Sequence, residues 1–157
     1  MLLIIFGAKY LLWVLIALAL VWFGRLPKEK QKRFILFGVI AFPLIYAVAK
    51  LIGMFYYHPR PFVVGDFTPL IFHEPDNGFP SDHTLLAAAI ATGAYPFGKK
   101  ASLLFWVFTA LIGFFRVLGG IHHPIDILGS ITISILVGLL IYDGLISRLN
   151  QRRNKSF

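Results

Sequence analysis

Residues 78–95 read GFPSDHTLLAAAIATGAY and join a polar beginning to a run of small apolar residues. Ser81, Asp82 and His83 stand immediately before that run, at the first turn of a predicted helix that Pro80 can begin. Ionisable side chains are costly in a lipid bilayer, so they indicate a functional site wherever a membrane helix carries them. The stretch therefore predicts a membrane helix with a polar site at one end.

The composition of the whole chain favours an integral membrane protein. Its 157 residues suit a single domain, residues 1–157, and 58% of them are hydrophobic and occur in long blocks. The net charge of +8 would suggest nucleic acid for a soluble protein, but the apolar blocks argue against that partner. The absence of cysteine excludes disulfides and zinc–thiolate sites. The first apolar run lacks a basic start and a cleavage site, so we expect a retained helix, not a signal peptide.

Five apolar segments are long enough, or nearly so, for the roughly 20 residues of a membrane span. The second contains Pro43, which predicts a kink. The fold class is therefore an all-α bundle of about five transmembrane helices, with the predicted spans 2–23, 34–57, 80–97, 101–118 and 124–146.

The basic residues predict the orientation of the bundle. Segment 25–33 contains five cations, and Lys99 and Lys100 follow the third span. The tail adds four more, and alternating helices place all of these groups on one side. Positive residues favour the cytoplasmic side. We therefore expect a multi-pass protein of the cell (plasma) membrane whose other end, with residues 58–80 and 119–123, faces the extracytoplasmic side. The tail cations are Arg148, Arg152, Arg153 and Lys155.

Seven polar residues map to this outer end, at the termini of helices two to five. His122 and Asp126 are four residues apart, which places them on one helix face. A carboxylate that binds one imidazole nitrogen leaves the other nitrogen free to attack. A structural alternative is a loop histidine beside an aspartate at a helix N-terminus. The seven residues are Arg60, Ser81, Asp82, His83, Arg116, His122 and Asp126.

The remaining members of this set are suited to an anion. Arg60 and Arg116 match the geometry of phosphate, and a helix N-terminus offers free N–H groups. Ser81 adds a hydroxyl donor, although it could simply cap the helix. His83 can donate a proton near neutral pH. We therefore predict a phosphate site in which His83 protonates the leaving oxygen and His122 attacks.

At these positions the sequence resembles the type 2 phosphatidic acid phosphatase family of membrane lipid phosphatases. The family motifs K-x6-R-P, P-S-G-H and S-R-x5-H-x3-D correspond to RP at 60–61, PSDH at 80–83 and R-x5-H-x3-D at 116–126. The form PSDH, with HPRPF before it and HPIDILGS after it, is most similar to the bacitracin-resistance type of undecaprenyl pyrophosphate phosphatase.

This resemblance implies the chemistry of the site. His122 would become a phosphohistidine, supported by Asp126, while His83 would protonate the leaving group and then activate water. Arg60, Arg116, Ser81 and the backbone N–H groups near Asp82 would hold the phosphoryl oxygens. No metal or other cofactor is implied, because cations and N–H groups supply the electrostatic stabilisation.

The sequence departs from the family pattern at three places. Gly53 occupies the position of the family lysine, and Lys50 lies three residues earlier, as either a substrate ligand or the partner of an acid such as Asp82. A buried pair of this kind would cost about 3–5 kcal/mol to break. Phe115 replaces the family serine, and Asp82 replaces a glycine.

Other histidines and other functions remain open at this stage. His123 is predicted as a loop residue, and His58, His73 and Glu74 as solvated or interfacial residues of the long loop. The preferred substrate is a polyprenyl pyrophosphate within the membrane, and the alternative is a glycerolipid phosphate such as phosphatidic acid or phosphatidylglycerophosphate. Two further alternatives are a metal-dependent hydrolase with His83, His122, His123 and Asp126 as ligands, and a non-catalytic lipid carrier.

Overall fold

The computed structural model describes residues 1–147 as a bundle of helices. This part of the chain contains no strand, and its one β-bridge joins Pro59 to Asn77. The predicted all-α membrane fold is therefore confirmed. The helices are α1 (Leu2–Gly24), α2 (Lys28–Phe55), α3 (Pro61–Val64), α4 (Asp82–Ala94), α5 (Lys99–Leu118) and α6 (Pro124–Ile141), and a π-helical turn (Tyr142–Ser147) follows α6.

Helices α1, α2, α5 and α6 are long and apolar enough to cross a membrane. Helix α4 has 13 residues, or about 20 Å, which is less than the roughly 30 Å of a hydrocarbon core. It is shorter at both ends than the predicted span 80–97. Because α4 contacts α1, α2, α5 and α6, its end groups lie within protein and need not reach across lipid.

Small residues allow α4 to occupy the centre of the bundle. Its alanines, four of which are wholly buried, let the neighbouring helices approach closely. A Cβ atom added to Gly138 of α6 would lie 2.7 Å from Thr92 Cγ2, and one added to Gly93 would lie 2.6 Å from Phe37. These two glycines are therefore required by close packing. The four wholly buried alanines are Ala87, Ala88, Ala91 and Ala94, and Ala89 is 2% exposed.

The two basic turns lie at the same end of the bundle. Trp22, near the end of α1, makes edge-to-face contacts with Phe34 of α2 and Phe105 of α5. Phe34 makes a similar contact with Phe97, just before α5. Segment 25–33 and the start of α5 are therefore neighbours, as alternating helices predict. The tail cations Arg148, Arg152, Arg153 and Lys155 lie outside the described residues.

Candidate active site

A polar cavity of about 430 Å³ lies at the opposite end of the bundle. It brings together side chains from α2, the loop before α4, α4 itself, the end of α5, and the segment that joins α5 to α6. Six of the eight residues predicted for the site line it, while Ser81 and Asp126 are wholly buried next to it. The ionisable lining residues are Lys50, Arg60, His73, Asp76, Asp82, His83, Arg116 and His122.

Asp126 contacts the ring of His122, as their spacing predicts. His122 Nδ1 lies 3.4 Å from Asp126 Oδ2, which also accepts the backbone N–H of His123 at 2.8 Å. An ionised carboxylate can only accept, so His122 Nδ1 carries the hydrogen when the ring is neutral. His122 Nε2 then keeps its lone pair and is the nitrogen available for attack.

Two arginines surround that nitrogen. Arg60 Nη1 lies 3.3 Å and Arg116 Nη2 3.4 Å from His122 Nε2, and each arginine is only 4% exposed. Arg60 Nη1 also donates to the carbonyl of Ile121, and Arg116 Nη1 to that of Ala8. Two buried guanidinium groups around a neutral nitrogen favour an anion at this point and oppose a metal cation there.

The same surroundings keep the His122 ring neutral. Burial is the main cause that lowers the pKa of His122 to about 4, and the charges of Arg116 and Arg60 add to it. The hydrogen bond to Asp126 acts in the opposite direction. Burial and the same two arginines also lower the pKa of His73. At neutral pH His122 is therefore an uncharged base in a cationic site.

Ser81 has a structural connection that its sequence position did not predict. It is the N-cap residue immediately before α4, but its hydroxyl makes no cap hydrogen bond; the hydroxyl instead accepts a hydrogen bond from Thr84 Oγ1 at 3.2 Å. Its carbonyl accepts the hydroxyl of Ser130 in α6 at 2.9 Å, and its N–H donates to the carbonyl of Asp126. Ser81 therefore occupies the N-cap position, as the structural alternative predicts, but without the side-chain hydrogen bond of a cap, and it joins α4 to α6 beside the cavity.

Lys50 and Asp82 form an ion pair at the cavity edge. Lys50 Nζ lies 3.2 Å from both carboxylate oxygens, and it also lies 5.0 Å from the centre of the Tyr46 ring. The side chains of Lys50 and Asp82 are 50% and 55% exposed. The pairing alternative is therefore seen, but the assumption that the pair is buried is wrong. We expect the cost of breaking an exposed pair to be about 0–1 kcal/mol, below the value predicted for a buried one.

Structural reasons can be given for two departures from the family pattern. A Cβ atom at Gly53 would lie 3.2 Å from the carbonyl oxygen of Phe79, so the chain before α4 packs directly over the position of the family lysine. The Phe115 ring lies over Gly7, where an added Cβ atom would be 2.2 Å from the ring. Phe115 thus packs α5 against α1 in place of the family serine.

Two histidines predicted to be solvated or interfacial belong to the site instead. His58 Nδ1 lies 2.7 Å from Asp126 Oδ1, and its side chain is 24% exposed. His73 lines the cavity, with Nε2 3.5 Å from Arg116 Nη2. The signal for His58 was its place two residues before Arg60, whereas His73 has no local pattern that reveals it. Glu74 is exposed, as predicted.

Two adjacent residues of the long loop organise the cavity wall, and neither was predicted. Asp76 Oδ1 accepts a hydrogen bond from Arg60 Nε at 2.7 Å. Burial raises the pKa of Asp76, but the hydrogen bond and charge of Arg60 outweigh it and lower the pKa below its usual value. The Asn77 side chain accepts the N–H groups of His58 and Phe79 and donates to the carbonyls of Gly53 and Tyr56. Asn77 therefore fastens the loop to the end of α2.

Comparisons with known proteins agree with this geometry. The chain is 32% identical over 138 residues to the bacitracin transport permease protein BcrC of Bacillus licheniformis, covering 87% of this chain and 68% of that protein. It is 35% identical over 130 residues to the undecaprenyl-diphosphatase BcrC of Bacillus subtilis strain 168, covering 83% of this chain and 66% of that protein. The chain thus spans about two thirds of the length of these relatives.

A solved structure and a family model complete the comparison. The crystal structure of LpxE from Aquifex aeolicus matches with a TM-score of 0.65 and 27% identity, over 88% of this chain and 84% of that one. The model of the PAP2 superfamily matches residues 31–148, which include all the cavity residues. The protein is therefore a multi-pass membrane protein of the lipid phosphatase class, and the chain belongs to the PAP2 superfamily.

Proposed function

We propose that the protein hydrolyses a polyprenyl pyrophosphate, such as undecaprenyl pyrophosphate, to the monophosphate through a phosphohistidine on His122. The observation that carries this proposal is the position of His122 Nε2, which lies between two buried guanidinium groups, with Asp126 on the other side of the ring. The name of the undecaprenyl-diphosphatase relative from Bacillus subtilis supports the choice of substrate.

In the first step the terminal phosphoryl group lies against Arg60 and Arg116. Their charges, together with the N–H groups at the start of α4, neutralise the equatorial oxygens. His122 Nε2 forms a bond to phosphorus while the bond from phosphorus to the bridging oxygen breaks. In the free protein burial, followed by the charge of Arg116, lowers the pKa of His83 to about 4. The bound phosphate anion opposes this effect, so His83 carries a proton in the occupied site. From the same cavity His83 donates that proton to the departing oxygen, and the lipid monophosphate leaves.

In the second step water replaces the leaving group. His83 is now neutral and removes a proton from the water molecule as its oxygen attacks phosphorus. The bond between phosphorus and His122 Nε2 breaks, inorganic phosphate leaves, and both histidines return to their starting states. Asp126 stabilises the positive charge that His122 carries in the intermediate, as a carboxylate does for a catalytic imidazole.

Apolar cavities next to the site support a lipid substrate. A cavity of about 230 Å³ shares Asp82 with the polar cavity and is otherwise lined by α2 and α4 side chains such as Ile45 and Ala89. A third, of about 610 Å³, shares Phe42 and Leu86 with the second and continues between α1 and α2. A hydrocarbon tail can lie along these surfaces while its phosphates enter the polar cavity, which we place on the extracytoplasmic side.

The test is phosphate release by the purified protein from a panel of lipids, with and without a chelator. The panel contains a polyprenyl pyrophosphate, a polyprenyl phosphate, phosphatidic acid and phosphatidylglycerophosphate. We expect the highest kcat/KM for the pyrophosphate and no effect of the chelator. His122→Ala should lose at least about 10³-fold in kcat, since it removes the nucleophile, while the comparison variant His123→Ala should remain active.

Each rival function has its own result in this experiment. A higher kcat/KM for a glycerolipid phosphate would overturn the substrate assignment, and loss of activity in chelator would favour a metal-dependent enzyme. Lipid binding without phosphate release would favour a carrier. An active His122→Ala variant beside an inactive His123→Ala variant would move the nucleophile by one residue.

A further inference from the structure

Asp126 is held by two histidines, and the shorter contact is not the one to the nucleophile. His58 Nδ1 lies 2.7 Å from Asp126 Oδ1, whereas His122 Nδ1 lies 3.4 Å from Oδ2. Asp126 is fully buried, and His58 comes from a segment 68 positions away in sequence. The strongest hydrogen bond of this carboxylate, judged by length, is therefore made by a residue outside the family motifs.

The hydrogen bonds to both carboxylate oxygens determine the orientation of the group. Oδ1 accepts from His58, and Oδ2 accepts the backbone N–H of His123 at 2.8 Å. These two donors define the plane of the carboxylate, and His122 Nδ1 meets the oxygen whose position they set. Without the donor from His58, one buried oxygen would lose its partner and the carboxylate could rotate away from His122.

His58 is itself held firmly enough to act as a support. Its backbone N–H donates to Asn77 Oδ1 at 2.9 Å, and its carbonyl accepts the N–H of Gly78 at 2.8 Å. Its ring stacks on Tyr56 with an interplanar angle of 22° and lies 4.6 Å from the ring of His123, measured between centroids. Both the main chain and the ring of His58 are therefore fixed relative to α6.

We propose that His58 is a positioning residue that aligns Asp126 and thereby fixes the hydrogen on Nδ1 of the nucleophilic His122. This inference rests on the proposed function, because it assigns His58 a role in the phosphohistidine step. His58 acts through Asp126 and does not line the substrate cavity. Its loss should therefore slow the chemical step and leave substrate binding unchanged.

The test compares His58→Phe, which keeps a ring without a donor, with His58→Asn, whose amide can donate from nearly the same place as Nδ1. Tyr57→Phe, a change at the exposed neighbouring residue, is the matched control. We expect His58→Phe to lower kcat about 10- to 100-fold, as loss of an orienting partner does at other sites, with KM unchanged. His58→Asn should recover most of kcat, and all assays are run below the unfolding temperature of each variant.

A second readout needs no turnover, so it separates this inference from the proposed function. Nitrogen NMR of histidine-labelled protein should show His122 as the Nδ1–H tautomer in the wild type and in His58→Asn, and a mixture of tautomers in folded His58→Phe. An unchanged tautomer in His58→Phe, a raised KM with normal kcat, or equal losses in both variants would overturn the inference. If the wild type releases no phosphate from any lipid while His58→Phe still changes the tautomer of His122, only the proposed function is overturned.

Discussion

The ion pair between Lys50 and Asp82 offers a sharp test of how the free site differs from the occupied one. Lys50 lies three residues before Gly53, which stands at the position of the family lysine, and in the free protein its ammonium group lies 3.2 Å from Asp82. Both side chains line the cavity and are about half exposed. We predict that Lys50 leaves Asp82 and binds the substrate anion, so that the pair is a resting contact and not a structural one.

The expected magnitudes follow from this exposure. An ion pair in contact with water contributes about 0–1 kcal/mol to stability, so Lys50→Met, Asp82→Asn and the double variant should each change the free energy of unfolding by no more than that. A hydrogen bond from an ammonium to a phosphate contributes about 1.5–3 kcal/mol. Lys50→Met should therefore raise KM about 10- to 100-fold, and Asp82→Asn should not reverse this loss.

Thermal unfolding and steady-state kinetics on these variants provide the assay, with Lys30→Met, at an exposed cation of the opposite end, as the control. Two results would refute the reasoning. A loss of about 3–5 kcal/mol in each single variant, largely recovered in the double variant, would mean that the pair behaves as a buried one. An unchanged KM in Lys50→Met would mean that Lys50 does not contact the substrate.

Three further predictions concern the arginines, the topology and helix packing. In the pH profile of kcat/KM the acidic limb should lie near pH 4, because the pKa of His122 is lowered to about 4. Arg116→Gln removes a positive neighbour, so it should raise the pKa of His122 and move this limb to higher pH. A limb that stays at the same pH in this variant would contradict the assignment. In intact cells an impermeant thiol reagent should label Thr68→Cys, an exposed position in a chain without cysteine. The Lys30→Cys control should be labelled only after permeabilisation, and the reverse pattern would invert the topology. Gly7→Ala should destabilise the protein by about 1–3 kcal/mol through overpacking against Phe115, and Phe115→Ser should recover part of the loss in thermal unfolding; additive losses would exclude this contact.

The sequence alone determined the parts of this protein that depend on local pattern and on the bilayer. Apolar segments near the length of a span must form helices in lipid, because every backbone polar group has to be satisfied within the segment. The spacing of His122 and Asp126 placed them on one helix face, and their contact is present. Alternating spans then predicted that Arg60, His83 and Arg116 meet at one level, as they do.

Only the tertiary structure decided which side chains touch across long separations in sequence. The contact of His58 with Asp126, the place of His73 beside Arg116 and the four hydrogen bonds of Asn77 all depend on the path of the loop before α4. That loop has no hydrophobic period to fix its conformation; its path is set by the helices against which it packs. The exposure of the Lys50–Asp82 pair was likewise decided by packing, since neither helix pattern reveals how much water reaches the cavity edge.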